Sequence, residues 1–220
     1  MKWFKKIAAF GFMIGVIYFI GSLIIQHNEQ KRIDEITQAM EESAQIEKLF
    51  ANNQQKLSNT ELEELKLYNQ LTSYQVDHNK DIKKTAEEAL SSIEKQQKHL
   101  EKSKENFSKA YEMIASIQPI SKKVRDKKQA KSILSLEKIN EERYQLYLTY
   151  SEDYNSLFAL NKNLYQQLEK QDFNEKALDE QIKEINQLYK KLHSQEKQFN
   201  QYTTQFNNEK KHYYQLINRI

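Results

Sequence analysis

Tyrosines, histidines and carboxylates are the side chains of this sequence that could do chemistry, and their spacing decides what chemistry is open to them. The five histidines, His27, His78, His99, His193 and His212, stand far apart, and none shares a metal-binding pair spacing with another. Cysteine is absent, which removes disulfides, thiolate metal sites, a cysteine nucleophile and a lipidated cysteine. No glycine-rich phosphate loop and no Gly-x-Ser-x-Gly elbow occurs. The many carboxylates read as solvated helix faces, partly paired with lysines four residues away. The expectation is a protein that is not an enzyme, with no catalytic, cofactor or metal residues.

Binding has more support. Thirteen tyrosines concentrate at 144–165 and 189–214. Tyr147, Tyr154, Tyr189 and Tyr213 fall on hydrophobic seams and are expected to pack. Tyr144, Tyr165, Tyr202 and Tyr214 fall off the seams and are the candidates for stacking on sugars. The run from Ser121 to Lys131 places Lys122, Lys123, Arg125, Lys127, Lys128 and Lys131 around a single acid, Asp126. It suits contact with anionic headgroups or other envelope polyanions; the alternative is a well-solvated helix start.

Helices must position these groups. Glycine occurs three times, at Gly11, Gly15 and Gly21, and proline once, at Pro119. From Gln26 onward the chain has almost no turn punctuation and reads as all-α. Ala86, Ile93, Leu100, Phe107 and Ile114 are spaced seven apart, as in a coiled-coil seam. A second seam runs through Ile133, Leu136, Tyr147, Tyr154, Leu157 and Leu164. A third runs from Leu178 through Ile185, Leu192, Phe199 and Phe206 to Ile217. The second is interrupted by Asn140, Arg143 and Asn161, polar residues that suit setting a register better than lining a site.

The first helix is less regular, with Ile33, Ile36, Met40 and Phe50, then Leu62, Leu65 and Tyr68 after a break near 58–60. Ser58-x-x-Glu61 and Thr60-x-x-Glu63 have capping-box form there. Pro119 ends another helix, and Asp172 or Asn174 caps the last. The expected helices are 27–74, 80–117, 121–171 and 174–218, arranged as an up-and-down four-helix bundle.

Residues 1–26 form a separate unit ahead of this body, 27–220. Ile7 to Ile25 carries no charge and is long enough to cross a bilayer. Ile7, Phe10, Phe12, Ile14, Val16, Ile17, Phe19, Ile20, Leu23 and Ile24 are its anchoring side chains. Lys2, Lys5 and Lys6 precede it and account for the whole net charge of +3. The positive-inside rule puts the N-terminus in the cytoplasm and the body outside. A cleaved signal is the rival reading, but Leu23-Ile24-Ile25-Gln26 offers no small-x-small site. Gly11-x-x-x-Gly15 has the spacing that lets two spans approach as a homodimer, although glycine is common in such helices anyway. The electrically balanced body has no general attraction for nucleic acid.

Three stretches resemble a known family: EEALSSIEKQQKHLEKSKENFSKA from Glu87, ERYQLYLTYSEDYNSLFALNKNLYQQL from Glu142, and EINQLYKKLHSQEKQFNQYTTQFN from Glu184. They are similar to the YkyA-like cell-wall-binding lipoproteins of Gram-positive bacteria, over roughly Asn28 to Ile220. The resemblance implies an up-and-down bundle on the outer membrane face and cell-wall binding, with no catalytic residues to carry over. It departs at Phe19-Ile20-Gly21-Ser22, where serine occupies the place of the lipidated cysteine. The expected partners are the membrane and a cell-wall polymer or an envelope protein; the alternative role is a helical scaffold subunit of a membrane assembly.

Overall fold

The computed structural model of the chain describes residues 2–73, 79–170 and 174–217, with side chains from residue 26 onward except 72, 79 and 175. Helix α1 is Lys2–Ser73, α2 Asn79–Ala115, α3 the single turn Gln118–Ser121, α4 Lys127–Lys170 and α5 Glu175–Leu216. No strand occurs among the described residues. The four long helices run alternately up and down, as the sequence predicts.

The seven-residue series of α2 is buried at every position, from Ala86 to Ile114. The corresponding line on α1 is Ile36, Ser43, Phe50, Leu57, Glu64 and Leu71, also seven apart and all buried. It passes through 58–60 without interruption, so the expected break is absent. Thr60 does not cap a helix; its hydroxyl donates to the Lys56 carbonyl at 2.8 Å, one turn back within α1. With the helix unbroken, Leu62 and Leu65 rotate out of the core and are 55% and 52% exposed.

A second line on α1, also seven apart, is polar and faces α4. Glu47 pairs with Arg143, Gln54 donates to the Tyr147 hydroxyl at 2.7 Å, and Glu61 accepts from Tyr154 at 2.8 Å. Partner numbers rise together on both helices, which makes α1 and α4 the parallel diagonal of the bundle. This ladder fixes their register, because a slip of one heptad would leave buried polar groups facing apolar ones.

The turns follow from local chemistry. Pro119 lies in the first turn of α3, where its missing N–H costs nothing. Helix α4 begins at Lys127, later than the expected 121, because the Asp126 carboxylate accepts from the backbone N–H groups of Lys128 and Gln129, both at 2.9 Å. Asn174 caps α5, accepting from the Ala177 N–H at 3.1 Å. The core has three parts. Ile36, Met40, Ile114, Ile133 and Tyr213 fill the end nearest residue 26. Phe50, Phe107 and Tyr147 fill the middle, and a larger cluster around Leu100, Leu157 and Leu192 fills the far end.

Backbones of α1 and α2, α2 and α4, and α4 and α5 pack closely. The pair α5 and α1, which would close the ring, lacks that close approach along the described residues. Near residue 26 side chains still span it, with Lys210 of α5 donating to the Met40 carbonyl at 2.9 Å. Toward the far end the seam is open.

Candidate functional site

The open seam holds a cleft of about 360 Å³, a size that accommodates one small organic group. Its apolar wall is Leu62, Leu65, Leu164, Ile182 and Ile185. Its polar groups are the carboxylates of Glu61 and Glu64, the amides of Asn161 and Asn186, and the phenols of Tyr68, Tyr165 and Tyr189. Helix α1 brings Glu61, Glu64, Leu65 and Tyr68 to one face because they recur at three- and four-residue intervals.

Glu64 lies at the floor and is 3% exposed. It accepts from Tyr165 at 2.6 Å, from Asn161 at 3.2 Å and from Gln96 at 3.0 Å. Asn161 also reaches the Tyr189 hydroxyl at 3.5 Å. Burial holds the Glu64 carboxyl above its ordinary range, against the opposing pull of the Tyr165 and Gln96 bonds. Burial raises Glu61 as well, opposed by the bond from Tyr154 and reinforced by repulsion from Glu64 and Glu196. All the partners that lower these carboxyls toward ionisation are neutral donors.

A raised folded-state pKa means that the native protein binds more protons than the unfolded chain above the ordinary value of 4.5. The contribution of Glu64 to stability is therefore fully present below that value and is lost as pH rises through the elevated one. Glu64→Gln, which keeps the shape and removes the charge, is expected to stabilise the fold at neutral pH by on the order of 1 kcal/mol. Urea unfolding from pH 4 to 8 should show the two proteins converging at low pH and separating as pH rises. Curves that stay parallel would refute it.

The sequence-derived candidates scatter. Tyr165 is 1% exposed and bonded to Glu64, so it is a structural part of the cleft floor and not a free aromatic platform. From its position next to Leu164 of the seam it reaches across to the buried Glu64 carboxylate of α1. Tyr144 is half-buried and stacked on Tyr111, with centroids 4.0 Å apart and planes 6° apart. Tyr111 donates to Glu141, which pushes its pKa up to about 12. Tyr202 is half-buried. Tyr214 is half-buried near residue 26, with the Lys210 ammonium 5.6 Å from its ring centre. The four thus form no common surface. Of the seam tyrosines, Tyr147, Tyr154 and Tyr213 are buried as expected.

Lys122, Lys123, Arg125, Lys127, Lys128 and Lys131 are all exposed. They lie at the end of the bundle where the body begins, since the Arg125 N–H donates to Glu29 at 2.7 Å. The anchoring residues from Ile7 to Ile24, with Gly11 and Gly15, lie outside the residues whose side chains are described. Among the residues that are, no helix is long and apolar enough to cross a membrane. Glu209-x-x-His212 on α5 has a metal-compatible spacing. Glu209 instead accepts from the Ser132 hydroxyl at 2.5 Å, and no group of three metal-ligating side chains occurs among the described residues.

Comparison with known proteins agrees with this architecture. Residues 31–216 match the family YkyA, described as "Putative cell-wall binding lipoprotein". The chain is 26% identical over 179 residues to an uncharacterized lipoprotein, YkyA, of Bacillus subtilis (strain 168), covering 81% of this chain and 80% of that one. Its fold is similar to the crystal structure of a conserved protein of unknown function from Staphylococcus aureus. The TM-score is 0.60 at 21% identity, covering 84% of this chain and 93% of that one.

Proposed function

This chain belongs to the YkyA family, and on that premise we propose that it is a non-catalytic envelope protein that holds wall polymer in the α1–α5 cleft. The observation that carries this reading is the cleft itself: a concave, water-accessible site whose polar groups converge on one floor. Its mixture of phenols, amides and apolar rim suits a glycan or an amide-bearing chain.

Anchoring rests on sequence. Ile7 to Ile25 would span the bilayer as a single-pass helix, with Lys2, Lys5 and Lys6 inside and residues 27–220 outside. Relatives carry the lipoprotein name; with no cysteine in this chain, the protein segment would supply the hold that lipid gives elsewhere. Arg125 is bonded to Glu29, which lies roughly 6 Å along α1 from Ile25. With that span in place, the basic turn would lie within a Debye length of the headgroups and settle on anionic lipid.

The test is co-sedimentation of the full chain, in detergent, with purified Gram-positive wall. Leu62 and Leu65 are exposed, so Leu62→Arg with Leu65→Arg obstructs the mouth of the cleft without disturbing the core. Binding should fall about tenfold, roughly 1.4 kcal/mol. Wild-type protein left in the supernatant would end this reading. The same two exposed leucines favour the second reading, a scaffold that docks an envelope protein. In that case the double variant would abolish a defined crosslinked protein adduct in cells and leave wall sedimentation unchanged.

A further inference from the structure

We infer that the α1–α5 cleft selects a cationic group, specifically a primary ammonium carried on an uncharged chain. Among the described residues, every side chain lining the cleft is apolar, aromatic, amide or acidic, and none is basic. That is unusual for a chain with 34 lysines and arginines. Two carboxylates, Glu61 and Glu64, face the same small space, and Glu196 adds to the negative potential felt by Glu61.

Elsewhere on the α1–α4 ladder the chemistry is closed. Glu47 receives a guanidinium from Arg143 through two bonds, at 3.0 and 3.1 Å. About four turns farther out, Glu61 and Glu64 receive only hydroxyl and amide donors, from Tyr154, Tyr165, Asn161 and Gln96. Neutral donors orient a buried carboxylate but do not cancel its charge. The opening that would admit a cation is on this side, at Leu62 and Leu65.

An ammonium entering there would lie between two like-charged carboxylates and relieve their repulsion. The phenol rings of Tyr68 and Tyr189 would line its approach, where cation–π attraction adds to the selectivity. A neutral sugar would gain hydrogen bonds but leave that repulsion in place. This inference concerns the same cleft as the proposed function and refines it, but its test is separable.

The probe is Nα-acetyl-lysine methylamide, titrated by calorimetry into the full chain in detergent, with its Nε-acetyl derivative as the uncharged control. The amine should bind saturably and at least tenfold more tightly than the control. Glu64→Gln and Glu61→Gln should each remove that preference while circular dichroism shows the fold intact. Affinity should increase as pH rises and the two carboxyls ionise. The other groups facing them are the phenols of Tyr68, Tyr154, Tyr165 and Tyr189, the Glu196 carboxylate and the amides of Gln96 and Asn161. Burial pushes Tyr154, Tyr165 and Tyr189 up, so these three stay neutral as the two carboxyls ionise. Equal binding of both probes, no saturable binding of either, or a preference that survives both variants would each overturn the inference.

Purified wall whose free amines have been acetylated separates this result from the broader reading. Retention on untreated but not acetylated wall supports both. Equal retention on the two preparations refutes ammonium selection while leaving wall binding in place. Amine-probe binding without retention on untreated wall refutes wall binding and leaves the cleft chemistry in place.

Discussion

Arg143→Ala is expected to destabilise the body by about 3 kcal/mol, because it removes the buried half of an ion pair, leaves the half-buried Glu47 carboxylate without its cation and empties a space among aromatic rings. The side chain is 1% exposed, and its guanidinium is bonded twice to the Glu47 carboxylate. It also sits 4.7 Å from the ring centre of Phe206, 5.2 Å from Phe107 and 5.5 Å from Phe199. A lysine could supply the charge but neither the two-point bond nor the flat face against the rings, so Arg143→Lys should recover little. Removing both partners, as Arg143→Leu with Glu47→Leu, leaves no orphan charge and should return most of the lost stability. Urea unfolding of wild type, Arg143→Leu, Glu47→Leu and the double variant measures the coupling directly. Additive losses in the double variant would mean the pair is not energetically linked.

Phe107→Ala should cost a similar amount, about 3–5 kcal/mol, for a different reason. Phe107 is the centre of an aromatic group, 4.8 Å from Phe50, 5.0 Å from Tyr147 and 5.3 Å from Phe199, counted between ring centroids. Those rings come from α1, α4 and α5, so truncation opens a void at the one level where all four long helices contribute aromatics. It also removes one of the surfaces on which Arg143 rests. Phe107→Leu, which keeps much of the volume, should lose less than half as much. Thermal unfolding followed at 222 nm would distinguish the two, and an alanine variant as stable as wild type would show that the neighbouring rings collapse into the gap.

How legible these features are in the sequence depended on whether apolar residues mark the seam. On α2 they do at every seventh position, and the helix and its core face are readable directly. On α1 the same frame carries Ser43 and Glu64, and its second line carries Glu47, Gln54 and Glu61. These look like a solvated face until their partners on α4 are known. The apolar residues that remain, Leu62 and Leu65, then suggest a different frame after a break. The Ser58 and Thr60 spacings fit a capping box equally well in a helix that continues, because the hydroxyl can bond backward as Thr60 does. The polar residues of α4 were the better clue. Asn140, Arg143 and Asn161 all lie inside the bundle, and two of them point to glutamates of α1, Arg143 to Glu47 and Asn161 to Glu64. The cleft was not legible, since it arises from the separation of α1 and α5, helices far apart in sequence.

The continuity of α1 has a mechanical consequence. With no hinge between Gln26 and Ser73, Glu64 stands roughly 60 Å beyond Ile25 at the helical rise of ~1.5 Å per residue. If Ile7 to Ile25 spans a bilayer as proposed, the height of the cleft above its surface is set by one continuous helix with no loop in it. Adding seven residues between Ile25 and Gln26 would lift the body by about 10 Å and bring nearly the same face round again. Adding five would raise it less and turn the mouth of the cleft by well over a right angle. A polymer layer at a fixed standoff would sense height alone and treat the two changes nearly alike, whereas a neighbouring membrane protein would also sense the turn made by the second.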